Sequence, residues 1–222
     1  LCGDAVTTGG QNVAVGQNAL GSTTTAANNT AVGYLALLAN TTGAQNVAVG
    51  GAALDANTTA NDNVGVGFQA LTTNTTGASN IAMGTNAMNG NTTGHSNTAV
   101  GHQALANNTT GTSNVGFGYN AGVNITTGER NTASGTSSLA STTTGSGNTA
   151  SGYKALENNT TASGNTAFGQ DSLRANTTGS SNTAVGLDCA DGVTTGFSNV
   201  IIGNNAASAD VVLTTGKENV IL

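Results

Sequence analysis

The sequence predicts an all-β fold, a parallel β-solenoid (β-roll) of about 12–13 coils of 17 residues each. Three observations predict it. Asn recurs at 12, 29, 46, 63, 80, 97, 114, 131, 148, 165, 182 and 199, always 17 apart. Other residues hold fixed phase with it. With Asn as position 1, position 5 is Gly in all twelve repeats, and positions 13 and 14 are Thr-Thr in the eleven complete 17-residue repeats. Finally, 17 residues are too few for a helical-pair repeat of about 33 but suit one turn of stacked β structure.

One repeat domain is expected over 1–222. It divides into a partial coil (1–11), eleven regular coils (12–198), a longer coil (199–218) and the start of another (219–222). The longer coil places its three extra residues near Ala209 to Leu213. Positions 1–5, Asn-(Thr/Val)-Ala-Val-Gly, read as a strand rich in β-branched residues, the first of two or three short strands expected per coil. Asn at position 1, as in Asn46, Asn63, Asn80 and Asn97, is expected to form a ladder of side-chain amides between coils. Position 4 is the most consistently large and apolar (Val49, Val66, Met83, Val100) and position 9 is the second anchor (Leu37, Leu54, Leu71, Met88). Positions 3 and 8 are mostly Ala. Gly at position 5 (Gly50, Gly67, Gly84, Gly101) requires either a positive φ or a neighbouring backbone too close for a Cβ. Position 15 is Gly in eight of eleven repeats, with Ala26, Ala60 and Ala162 otherwise.

Composition supports the frame. The chain has 33 Gly, no Pro, and 6% charged residues, against roughly 25% in an ordinary domain. Such composition often accompanies disorder, but disordered segments do not keep residues in phase. A solenoid strand is paired on both sides, and Pro cannot donate to a ladder. The net charge of −6 with four basic residues argues against nucleic acid, which demands Lys/Arg contacts to phosphate. No apolar run is long enough to span a bilayer. The chain begins partway through a repeat, which is the expectation for a processed or excised piece.

Cys2 and Cys189 both fall at position 8, eleven repeats apart. At roughly 4.8 Å per coil they lie about 53 Å apart, beyond the about 7 Å a disulfide allows. They read as small buried thiols replacing Ala; contact between identical cysteines of neighbouring chains is the other reading. Outside the insertion, charges fall only at positions 7, 10, 16 and 17, which should face water. Lys154 beside Asp171, and Glu157 beside Arg174 beside Asp191, are expected to form columns of alternating sign. Strand faces alternate, so positions 2 and 4 oppose positions 3 and 5. One face fills the coil and the other leaves an apolar stripe about 60 Å long, which marks an association surface. An oligomer is therefore expected.

The phrases NTAVGYLALLANTTG at 29–43 and Asn-x-Ala-Val-Gly-x-x-Ala-Leu resemble YadA-like head repeats of trimeric autotransporter adhesins. They are also similar to the Asn-Thr-Ala-Val-Gly repeats of phage and bacterial tail-fibre proteins. The resemblance covers nearly the whole chain. It implies a left-handed β-roll, a homotrimer, and an extracellular role on a bacterial cell surface or virion. The Thr-Thr-Gly corner is an addition to the usual adhesin repeat. The chain also stops at position 4 and starts at position 7, so head-to-tail stacking into a filament is a further expectation.

The search for chemistry yields little. His95 and His102 sit at positions 16 and 6, and no Cys/His spacing suits zinc. Asp171, Asp188 and Asp191 are the nearest approach to a calcium site. VGVGF at 64–68 lacks the Lys-Ser/Thr of a phosphate loop. No enzyme and no cofactor is expected. Asn-x-Thr sequons at Asn40, Asn57, Asn74, Asn91, Asn108, Asn124, Asn159 and Asn176 read either as glycan acceptors or as corner residues.

The expected function is a structural, non-catalytic shaft of an extracellular fibre, acting by homo-oligomeric or head-to-tail assembly. The alternative is a ligand-binding solenoid. The Thr columns (Thr41, Thr42, Thr58, Thr59) could order ice, although adjacent Thr residues point to opposite faces, so only one column would face outward. The surface aromatics Tyr34, Phe68, Tyr119 and Tyr153 could hold a cell-surface glycan or receptor.

Overall fold

The computed structural model describes residues 2–208 and 214–222; the insertion expected near Ala209 to Leu213 lies outside them. The chain is a parallel β-solenoid, with no helix among the described residues. It comprises two compact units, residues 1–112 and 113–222.

The first unit holds β1 (Val13–Val15), β2 (Thr30–Val32), β3 (Val47–Val49), β4 (Val64–Val66), β5 (Ile81–Met83) and β6 (Thr98–Val100). Each pairs in parallel with the next, in 17-residue register: Val49 opposes Val66, and Val66 opposes Met83. The second unit holds β7 (Val115–Phe117), β8 (Thr132–Ser134), β9 (Thr149–Ser151), β10 (Thr166–Phe168), β11 (Thr183–Val185), β12 (Val200–Ile202) and β13 (Val220–Ile221). The same register runs from β7 to β12, and the last step pairs Val200 with Val220.

Each coil carries one named strand, at positions 2–4, where two or three were expected. Backbone sterics explain the shortfall. Positions 7, 9 and 17 take left-handed φ, as in Gln69 (56°), Leu71 (54°) and Ser79 (59°), and each such residue breaks an extended run. Inter-coil hydrogen bonds continue through the turns: the N–H groups of Leu54 and Thr58 donate to the carbonyls of Ala70 (3.0 Å) and Thr75 (3.2 Å) of the next coil. The chain's lack of Pro follows from this pairing around the perimeter.

The core corrects one expectation. Position 9 is buried as read: Leu37, Leu54, Leu71, Met88, Leu156 and Leu173 are inaccessible. Position 3 and position 8 alanines fill the remaining space, among them Ala48, Ala53, Ala99 and Ala104. Position 4 is not a core anchor. It points outward, and Met83 and Phe117 are exposed. The reason is volume. A Cβ at Gly65, a position 3 residue, would already sit 3.2 Å from Leu54 Cγ. Beside an inward Leu at position 9, the narrow coil admits only Ala or Gly from the strand.

Candidate functional site

The outward strand face is where the molecule offers apolar surface to its surroundings. Apart from Phe197, every exposed large hydrophobic residue described falls at position 2, 4 or 6. Position 2 contributes Val13, Ile81, Val115 and Val200; position 4 contributes Val15, Met83, Phe117, Phe168, Val185 and Ile202. Within each unit, strand pairing holds the residues of a column in line. The N–H of Val64 donates to the Asn80 carbonyl and that of Gly67 to the Val49 carbonyl, both at 2.8 Å. Residues at positions 2 and 4 thus face out and the residue at position 3 faces in, as in Val47-Ala48-Val49; Thr replaces the outer Val at position 2 in strands such as β2 and β6, and β8 and β9 read Thr-Ala-Ser.

Gly at position 5 ends the strand for both reasons anticipated. Gly50, Gly67, Gly84 and Gly101 have φ between 132° and 138°, and a Cβ on Gly84 would lie 2.6 Å from the Gly101 carbonyl oxygen. Just past this turn stands position 6, with Tyr34, Phe68, Tyr119 and Tyr153 about half exposed. Their recurrence is regular within each unit. In the first unit the column reads Tyr34, Gly51, Phe68, Thr85, His102; in the second, Tyr119, Thr136, Tyr153, Gln170, Leu187. From Tyr34 to His102 rings alternate with small side chains, and in the second unit Thr136 separates Tyr119 from Tyr153 before Gln170 and Leu187 break the alternation; Phe68 neighbours Gly51, whose added Cβ would meet its ring at 3.4 Å.

The Asn ladder at position 1 is present and buried. In Asn46, the backbone N–H and Nδ2 both donate to Asn29 Oδ1 (2.9 and 3.2 Å), and Nδ2 also reaches the Ala60 carbonyl (2.9 Å). Asn63, Asn80 and Asn97 repeat the backbone link at 2.9–3.0 Å. Sequence reasoning missed a second ladder at position 12. Asn57, Asn74 and Asn91 each donate to Oδ1 of the preceding Asn at 2.7–3.1 Å. The signal was the same 17-residue phase, seen there only as sequons. The sequon residues Asn40, Asn57, Asn74, Asn91, Asn108, Asn159 and Asn176 are completely buried, so a glycan acceptor role is excluded for them. Asn124 alone of the sequons read is exposed.

The two Thr columns divide their roles. At position 13 the hydroxyls of Thr41 and Thr58 donate to the carbonyls of Thr58 and Thr75 (3.1 and 3.2 Å). At position 14 Thr42 and Thr59 are exposed. One outward Thr column results, which is half of what an ice-ordering plane would use.

Charged groups pair within a coil, not along columns. Lys154 meets Glu157 at 3.3 Å and Arg174 meets Asp171 at 3.4 Å, because the tight turn brings positions 7 and 10 together. The Glu157 hydrogen bond and charge hold the Lys154 amine above its ordinary pKa. Lys154 also lies 5.5 Å from the Tyr153 ring centre. Asp171 does not face water as expected: it is buried, and accepts from Arg174 and from Gln170 (3.1 Å). The Asp171, Asp188 and Asp191 calcium site is not assembled, since no three His, Cys, Asp or Glu among the described residues converge on one point. Cys189 is buried as read, its Sγ 3.2 Å from the Ile201 carbonyl, and burial raises its pKa. Cys2 is exposed, contrary to the buried reading, and both thiols are free. No cavity is present among the described residues, and no helix is long and apolar enough to cross a membrane. Comparison with protein families, characterised proteins and solved structures finds no match for this chain.

Proposed function

We propose that the chain is a structural, non-catalytic segment of an extracellular fibre, a surface adhesin or phage tail fibre, that assembles with copies of itself through the outward strand face. One observation carries this reading: Val, Ile, Met and Phe occupy positions 2 and 4 in exposed columns, with Phe117 58% and Phe168 51% exposed. Burying apolar surface contributes about 25 cal/mol per Å², so a repeated column of this kind gains in proportion to the coils engaged. Contiguous apolar surface marks an association site. The Asn side chains at positions 1 and 12 are held in ladders between coils, and Lys154, Arg174 and Arg130 each pair with an acid of their own coil, which suits a load-bearing element more than a reactive one. The resemblance to trimeric adhesin and tail-fibre repeats supports a homotrimer at a bacterial surface or on a virion.

Sedimentation tests the reading. The protein is expected to sediment as a multimer, and Phe168→Lys with Val185→Lys is expected to return the mass to that of a single chain while the β circular dichroism is kept. A single-chain mass for the unsubstituted protein at high concentration refutes it.

A further inference from the structure

The position 6 column of the first unit has a period that assembly through positions 2 and 4 does not explain. Its aromatic members, Tyr34, Phe68 and His102, occur every second coil, separated by Gly51 and Thr85. The column is tied together by backbone. The N–H groups of Ala52, Gln69, Asn86 and Gln103, at position 7, donate to the carbonyls of Tyr34 (2.8 Å), Gly51 (2.9 Å), Phe68 (2.9 Å) and Thr85 (3.1 Å). Each step is one strand spacing, so successive rings stand about 9.6 Å apart. Tyr34 and Phe68 are 56% and 55% exposed. Gly51 leaves room for the Phe68 ring beside it: a Cβ added there would already meet the ring at 3.4 Å.

The strand and turn that carry these rings are uncharged, and Asp55, at position 10, accepts from the Thr72 hydroxyl at 2.6 Å. From position 1 to position 9, none of the coils beginning at 29, 46, 63, 80 and 97 contains Asp, Glu, Lys or Arg. The neighbouring polar groups at position 7 are amides, Gln69 and Gln103, which both donate and accept hydrogen bonds, with Asn86 between them turning its Oδ1 inward. An ionic ligand finds no counter-charge here. A ligand with flat apolar faces and a rim of hydroxyls finds both of its complements.

We infer that this column is a binding track for a neutral, extended β-1,4-linked polysaccharide. A pyranose ring linked equatorially at both ends spans about 3 Å between its C1 and C4 and adds one C–O–C bridge, so the chain advances by about 5 Å per sugar, close to the strand spacing of about 4.8 Å. That advance matches one coil. Successive sugars in such a chain are turned over, so the same C–H face returns every second residue, as the aromatic rings do. One ring thus stacks under each disaccharide, and the amides reach the hydroxyls at its edges.

The test is depletion of the full chain from solution by insoluble β-1,4-glucan, with granular starch, an α-linked polymer, as the comparison. Binding to the β-glucan and not to starch is expected, with release by soluble cello-oligosaccharides. Tyr34→Ala with Phe68→Ala is expected to weaken binding by at least about tenfold, the usual cost of removing aromatic anchors. Tyr34→Phe, which keeps the stacking face, retains it. The rings are half exposed, so an unchanged unfolding midpoint verifies the fold of the double variant. Failure to bind, equal binding to starch, or full binding by a folded double variant overturns the inference. Phe168→Lys with Val185→Lys leaves this track intact, so loss of assembly and loss of glycan binding are separable.

Discussion

Asn46 and Asn57, eleven residues apart in one coil, donate their side-chain amides to a single acceptor, the carbonyl of Ala60, at 2.9 and 3.1 Å. Asn63 and Asn74 do the same to Gly77, both at 2.9 Å. Asn165 and Asn176 do so to Gly179 at 2.8 and 2.9 Å. Two buried columns thus meet at the position 15 corner and close the coil against itself. Water does not reach these amides, so each missing partner costs desolvation without return.

Asn74→Leu tests the clamp. It removes one donor to Gly77, the donor to Asn57 Oδ1 (3.0 Å) and the acceptor for Asn91 Nδ2 (2.7 Å). Urea denaturation is expected to show a loss of about 2–4 kcal/mol, more than the usual single hydrogen bond because buried partners are left unmet. A loss near zero contradicts the ladder.

The position 12 column is broken at Ile125 and Thr142, resumes with Asn159 and Asn176, and stops at the buried Val193. Asn176 Oδ1 is in consequence buried without a partner. Val193→Asn extends the column by one rung. It gives Asn176 Oδ1 a donor but moves the unmet oxygen one rung along and removes a buried Val, so a net loss of about 1–2 kcal/mol is expected, measured as a shift in denaturation midpoint; a loss above about 4 kcal/mol contradicts the account.

Gly67→Ala and Gly51→Ala separate a forced glycine from a free one. At Gly67, φ is 138° and the added Cβ would lie 2.5 Å from the Gly84 carbonyl oxygen. Loss of about 3 kcal/mol or more is expected there. At Gly51 φ is not positive and the nearest atom is the Phe68 ring at 3.4 Å, so thermal unfolding should change little.

Leu54 is buried with φ at 52°, a conformation hostile to β-branched side chains. Leu54→Ile keeps the volume but is expected to cost about 2–3 kcal/mol. Leu54→Met is expected to cost under about 1.5 kcal/mol. Equal losses in denaturant titration refute the backbone explanation.

Burial raises the pKa of Cys189, so the folded protein retains that proton at a pH where the unfolded chain, ionising near about 8.5, loses it. The contribution is complete below the unfolded value and is lost as pH rises from there through the raised folded value. Stability should fall above about pH 8.5, and Cys189→Ala should flatten that fall. Maleimide should label Cys2 in the folded protein and Cys189 only after unfolding.

Much of this was readable in the sequence, and the gaps have physical causes. The period, the register of Val49 on Val66 on Met83, the position 1 amide ladder and the forced glycines all follow from residues kept in phase. Asn40 to Asn108 read as sequons or corner residues, and the ladder they form in the same phase was not seen, because an amide's partners depend on which carbonyl the corner presents. The three left-handed residues per coil left no mark in composition, since Leu at position 9 is an ordinary core residue by type. The charge columns failed because Lys154 to Glu157 is shorter around the turn than Lys154 to Asp171 is along the stack.

What the sequence determined alone is that identical coils pile up in register, because a 17-residue phase held over twelve repeats permits no other neighbour for each residue. Which side of the strand became core was decided only in three dimensions. Positions 3 and 4 are both apolar, so pattern cannot choose between them. Once the turn at positions 7 to 9 drives Leu54 or Leu71 inward, the remaining space holds an Ala and not a Val, and the larger side chains are left facing out.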